Sequence, residues 1–138
     1  MPPAVRAALH VAALAAGIAV GVLGSFVHPL VWAGIPYGLL LGLALTGVTV
    51  ATAGLLTGAR SGALAAAGGW LVAVAVLSLQ RSEGDLIVPA TGLGYAWLLG
   101  GTAVVGLALA VPYSLLLGEP RPAGADRLAP SGAARIGR

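Results

Sequence analysis

The sequence predicts an all-α integral membrane protein, a bundle of four transmembrane helices in up-down order. Three observations lead there. Residues 7–59 contain no Asp, Glu, Lys or Arg. About 20 apolar residues cross a bilayer as a helix, so this run holds two crossings and the turn between them. Hydrophobic residues are 59% of the chain and charged residues only 8%, whereas soluble domains carry about 25% charged residues and need them on the solvent face of each helix. Finally, the apolar sequence divides into four segments of spanning length, separated by Gly, Pro or charged residues.

The first span is placed at 7–27, directly after Arg6. A secretory signal peptide is the competing reading, with Arg6 as its basic start and Val22 and Gly24 before a cut. Signal cores run about 7–15 residues, and this apolar run is longer, so an uncleaved helix is expected. Ser25, His28 and Pro29 end it, because proline disfavours helix at the residue before it. Residues 30–35 form an apolar turn with Trp32 and Gly34. Pro36 then opens the second span, 36–58, at the position where its missing N–H costs nothing.

Gly58-Ala59-Arg60-Ser61-Gly62 is a turn too short for anything but an antiparallel hairpin. The third span is 62–79. Residues 80–91 form the one long interhelical loop, with Arg81, Glu83, Gly84, Asp85 and Pro89. The fourth span, 92–117, is expected to kink near Pro112. Pro120, Pro122, Pro130 and the clustered charges then predict a disordered cytoplasmic tail over 118–138. One membrane domain, 1–117, is therefore expected.

Orientation follows from arginine. Arg6, Arg60, Arg121, Arg127, Arg135 and Arg138 fall on one side of the membrane and Arg81 on the other, a positive-inside bias that puts both termini in the cytoplasm. All seven basic residues are Arg. With the heavy use of Ala, Gly and Pro, this suggests a GC-rich bacterial genome and a bacterial plasma membrane. A pI near 10.2 does not indicate nucleic acid, since the arginines are scattered and make no basic face.

Small residues recur every four positions: Ala13, Gly17, Gly21 and Ser25 in the first span, Gly38, Gly42 and Thr46 in the second. The fourth span carries Gly92, Ala96 and Gly100 on one face and Thr102, Gly106 and Ala110 on another. Such stripes let helix backbones approach closely in lipid. They serve either packing inside one bundle or a homodimer face. Tyr37-Gly38-Leu39-Leu40-Leu41-Gly42 also echoes Tyr95-Ala96-Trp97-Leu98-Leu99-Gly100, either as a parallel repeat of two hairpins or by coincidence in a Leu/Gly-rich chain. Trp32, Tyr37, Tyr95 and Trp97 fall where an outer aromatic belt is expected.

Chemistry is sparse. There is no cysteine, no Ser–His–acid set, no phosphate loop and no metalloprotease motif. No catalytic, cofactor or metal site is expected. No carboxylate, Lys or Arg lies within a predicted span, which argues against a proton-coupled exporter. His10 could titrate near neutrality or simply pack near the inner interface. His28, Glu83 and Asp85 share the outer side, but no ligand pair of recognised spacing makes them a metal site; Asp85 can pair with Arg81 instead. Together with Trp32, Tyr37, Tyr95 and Trp97 they form a candidate outer binding face. Thr46, Thr49 and Thr52 either line a polar groove or bond their own preceding turns.

Arg6, the two uncharged spans around His28-Pro29 and Ile35-Pro36-Tyr37-Gly38, and the Pro/Arg tail resemble small uncharacterised actinobacterial membrane proteins, a domain of unknown function. The resemblance covers residues 1–118 and implies four plasma-membrane helices. It carries no functional residues. The expected function is non-catalytic: a partner-binding or accessory subunit that meets the lipid bilayer and another membrane protein or itself. The alternative is a small oligomeric transporter or channel for a neutral or lipid-like substrate. An enzyme acting on lipid comes third, for want of a nucleophile and base.

Overall fold

The structure, a computed structural model, describes residues 1–79 and 91–110. Its elements are α1 (Pro3–Val27), α2 (Tyr37–Thr57), α3 (Arg60–Ser78) and α4 (Gly92–Ala110). Among the described residues there is no strand, and all four helices are long and apolar enough to cross a membrane. The expected kink near Pro112, the tail 118–138 and loop residues 80–90 lie outside the described residues.

Helix boundaries differ from the expectation by a few residues, for local reasons. α1 begins at Pro3, ahead of Arg6, because proline suits a first helical turn and the Arg6 N–H reaches the Pro2 carbonyl at 3.1 Å. Arg6 is thus part of the helix and not a flank to it. α2 ends in a Schellman motif. Gly58 takes φ 60°, its N–H bonds the Leu55 carbonyl, and the Ala59 N–H bonds that of Gly54. α3 therefore starts at Arg60, and the hairpin turn is shorter than the sequence suggests. Between α1 and α2, Trp32 and Ile35 exchange backbone hydrogen bonds of 3.1 and 2.9 Å around Ala33 and Gly34, both with positive φ, a two-residue turn of the primed type.

Contacts fix the direction of each helix. Gly38 at the start of α2 lies against the Val27 carbonyl at the end of α1, and Leu9 near the start of α1 shares a groove with Thr57 at the end of α2, so these two are antiparallel. His10, Gly17 and Gly21 meet Ser61, Ala66 and Ala73 in ascending order, so α1 and α3 run parallel. Gly42 and Gly47 of α2 meet Trp97 and Val104 of α4, again parallel. The order is up-down-up-down. α1 on α3 is the most extensive interface, and α3 on α4 is much slighter than α1 on α2. The two hairpins of the suggested repeat therefore pack differently.

Two clusters form the core. One is small: Ala13, Ala53, Ala63, Ala66 and Ala67 around Val50. The other is bulky, with Trp70, Trp97, Val74, Leu39 and Val20. The exterior is apolar too. Leu41, Val48, Leu56, Leu64, Leu99 and Leu107, spread over α2, α3 and α4, are all exposed.

Candidate functional site

Trp97 is the centre of the bulky cluster and is 0% exposed. Its six-membered ring lies against Gly24 of α1 and Gly42 of α2, where any side chain would collide with it. Its indole N–H donates to Ser25 Oγ at 3.3 Å, and the Ser25 hydroxyl donates to the Gly21 carbonyl at 2.8 Å. His28 stacks on Trp97, centroids 6.1 Å apart and planes 14° from parallel. Trp70 meets it edge-on at 5.7 Å and 67°, a geometry in which ring edges and faces attract.

His28 is fully buried. Its Nδ1 lies 2.9 Å from the Ser25 carbonyl oxygen, which can only accept, so Nδ1–H is the donor. Neither His28 Nε2 nor Trp70 Nε1 has a hydrogen-bond partner among the described residues. Each such buried group costs about 1–3 kcal/mol.

This corrects part of the expected outer binding face. His28 and Trp97 turn inward, because Gly24 and Gly42 open a seat for the indole and the imidazole closes over it. Trp32, at 78% exposure, and Tyr37 and Tyr95 do face outward. Glu83 and Asp85 lie outside the described residues. Among the described residues no group of metal-ligating side chains occurs.

Of the small-residue positions, Gly17, Gly21, Gly38 and Gly42 are buried within the chain. A Cβ on Gly17 would strike the Ala66 carbonyl, and one on Gly38 the Val27 carbonyl. A Cβ on Gly100 would come within 3.3 Å of the Leu43 side chain, and one on Gly106 would meet nothing within 4 Å. The sequence reading missed Trp70, Gly24, Gly69 and Gly101. Trp70 was detectable: a tryptophan midway along a predicted span has no place in an interfacial belt.

Between α1 and α2 runs an apolar groove of about 390 Å³, lined by Ala12, Ala13 and Ala16 on one side and Thr49, Thr52 and Ala53 on the other. Of the three threonines, Thr46 is buried and donates to the Gly42 carbonyl at 2.8 Å, while Thr49 and Thr52 line the groove.

At the groove's end nearest Arg6, His10 joins α1 to α3. Its Nδ1–H donates to the Arg6 carbonyl at 2.7 Å, so Nε2 accepts from the Ser61 hydroxyl at 2.8 Å. The sequence holds no Ser–His–acid set, yet folding makes this Ser–His pair. A main-chain carbonyl stands where a hydrolase places a carboxylate. The pair ties the start of α3 to α1.

No curated protein and no solved structure matches the chain. The sequence profile of DUF6113, a family of unknown function, matches residues 1–128, and the chain belongs to that family.

Proposed function

We propose that this is a multi-pass protein of a bacterial plasma membrane, with both termini cytoplasmic, that works without catalysis by binding another membrane component. The observation that carries this reading is the division of labour among its side chains. The buried polar groups Ser25, His28 and Thr46 serve helix-to-helix or local backbone contacts, while the exterior is apolar with an open groove between α1 and α2. Recognition in lipid rests on close packing and shape, and that exterior offers both.

Native mass spectrometry of the full chain released from membranes in mild detergents tests this. Retained protein or lipid adducts are expected; bare monomers under every mild condition would sink the reading. A second reading, a small oligomeric transporter for a neutral or lipid-like substrate, draws on Thr49 and Thr52 in the groove. Liposome flux of such a solute, abolished by Thr52→Leu, would move the assignment to transport.

A further inference from the structure

We propose that the groove between α1 and α2 holds an acyl chain of an anionic phospholipid from the leaflet on the Arg6 side, with Arg6 and Arg60 at its phosphate. This rests on the reading above, that the chain spans a membrane and binds one of its components.

Depth is the first argument. Between Arg6 and Ala16, at the groove's far end, α1 rises about 15 Å, half of the roughly 30 Å hydrocarbon core. The groove therefore occupies one leaflet. A spanning partner helix needs a seam through both.

Width is the second. The lining runs from Leu9 to Ala16 on α1, about 10 Å of helix. Along that length the groove encloses about 390 Å³ between the small side chains of Ala12, Ala13, Ala16 and Ala53. An extended hydrocarbon chain fits lengthwise in it. Ala12, Ala16, Val48, Thr52 and Leu56 are exposed along it, so a chain enters sideways from the bilayer.

Charge is the third. Thr57, at the groove's lower end, packs on Gly62, next to the Ser61–His10 bond that ties the start of α3 to α1. Arg6 and Arg60 flank that corner, both exposed. The described residues contain no Asp or Glu, and the first N–H groups of α3 add partial positive charge there. A phosphodiester one turn beyond the acyl site meets two guanidiniums, each able to bind it bidentately.

The test uses the full chain in nanodiscs of phosphatidylcholine with a minor fraction of phosphatidylglycerol carrying a diazirine in its acyl chain. Photolabelling is expected on the peptides that hold Ala12–Ala16 and Thr49–Thr52, and Ala16→Phe, which fills the groove, should remove it. Native mass spectrometry should show about thirtyfold preference for phosphatidylglycerol over phosphatidylcholine, given about 1 kcal/mol for each of the two arginines at an anionic surface. Arg6→Gln with Arg60→Gln should bring that ratio near one.

Labelling spread evenly over all four helices of the unmodified protein overturns the proposal, as does a headgroup preference that the double variant leaves unchanged. Crosslinks from Ala16 or Thr52 to a second polypeptide overturn the lipid while leaving the membrane-binding reading intact. Bare monomers without lipid or protein adducts remove both.

Discussion

Trp97 shows how much one side chain depends on residues distant in sequence. Its ring fits between Gly24 and Gly42, its N–H ends on Ser25, and His28 covers its face. Trp97→Phe removes the donor and part of the ring, so a loss of about 1–3 kcal/mol is expected, and Trp97→Ala should cost about 3–5 kcal/mol. Trp32→Phe should be neutral, since Trp32 is largely exposed. Reversible unfolding in mixed micelles measures all three, and a Trp97→Phe protein as stable as the original would contradict the packing described. From the sequence, Trp97 resembles its neighbour Tyr95: both stand near the start of a span, where an aromatic belt is expected. Two positions along a helix place their side chains about 200° apart, so one faces lipid and the other the core.

At the scale of elements, the parallel seam of α1 on α3 holds the bundle together. Gly17 sits on the Ala66 carbonyl, and Gly69 sits on that of Leu14. A methyl group at either site collides with backbone, which cannot rotate away. Gly17→Ala should therefore destabilise by on the order of 1–3 kcal/mol. Gly106→Ala, with nothing nearby, should be neutral or slightly stabilising, because alanine favours helix by up to about 1 kcal/mol. Thermal aggregation temperatures of the two variants in one detergent separate them, and equal losses would mean that the α1–α3 contact is misplaced. The four-residue spacing made Gly17 and Gly21 visible in the sequence. It did not make Ala66, Gly69 and Ala73 visible, since small residues are so frequent in α3 that no stripe stands out.

For the whole molecule, the decisive property is which side of the membrane each end occupies. Residues 118–138 carry four Arg against Glu119 and Asp126, a net +2, and moving each charge outward against the potential costs about 2.3 kcal/mol per 100 mV. A fluorescent-protein fusion at the C-terminus should therefore glow and an alkaline phosphatase fusion there should be silent. Phosphatase activity at the C-terminus, with none for a fusion at Glu83, would invert the protein. It would also place the α1–α2 groove and its arginines in the outer leaflet, away from the negative cytoplasmic surface that motivates the anionic lipid.

Four apolar helices, the hairpin turn at Gly58 and membership of an uncharacterised family were legible in the sequence. Each depends on local hydropathy, turn chemistry or overall pattern, and a helix in lipid satisfies its own backbone hydrogen bonds without help from its neighbours. The tertiary structure alone decided which helix Gly17 touches, that His28 and Trp97 point inward, that Ser61 meets His10, and that α1 and α2 part to leave a groove. Those outcomes turn on how each helix is rotated about its own axis. With apolar side chains on every face of α2 and α4, hydropathy assigns no inward side. The rotation is set by close packing between helices, where glycine seats for Trp97 and Trp70 outweigh any difference between core and lipid.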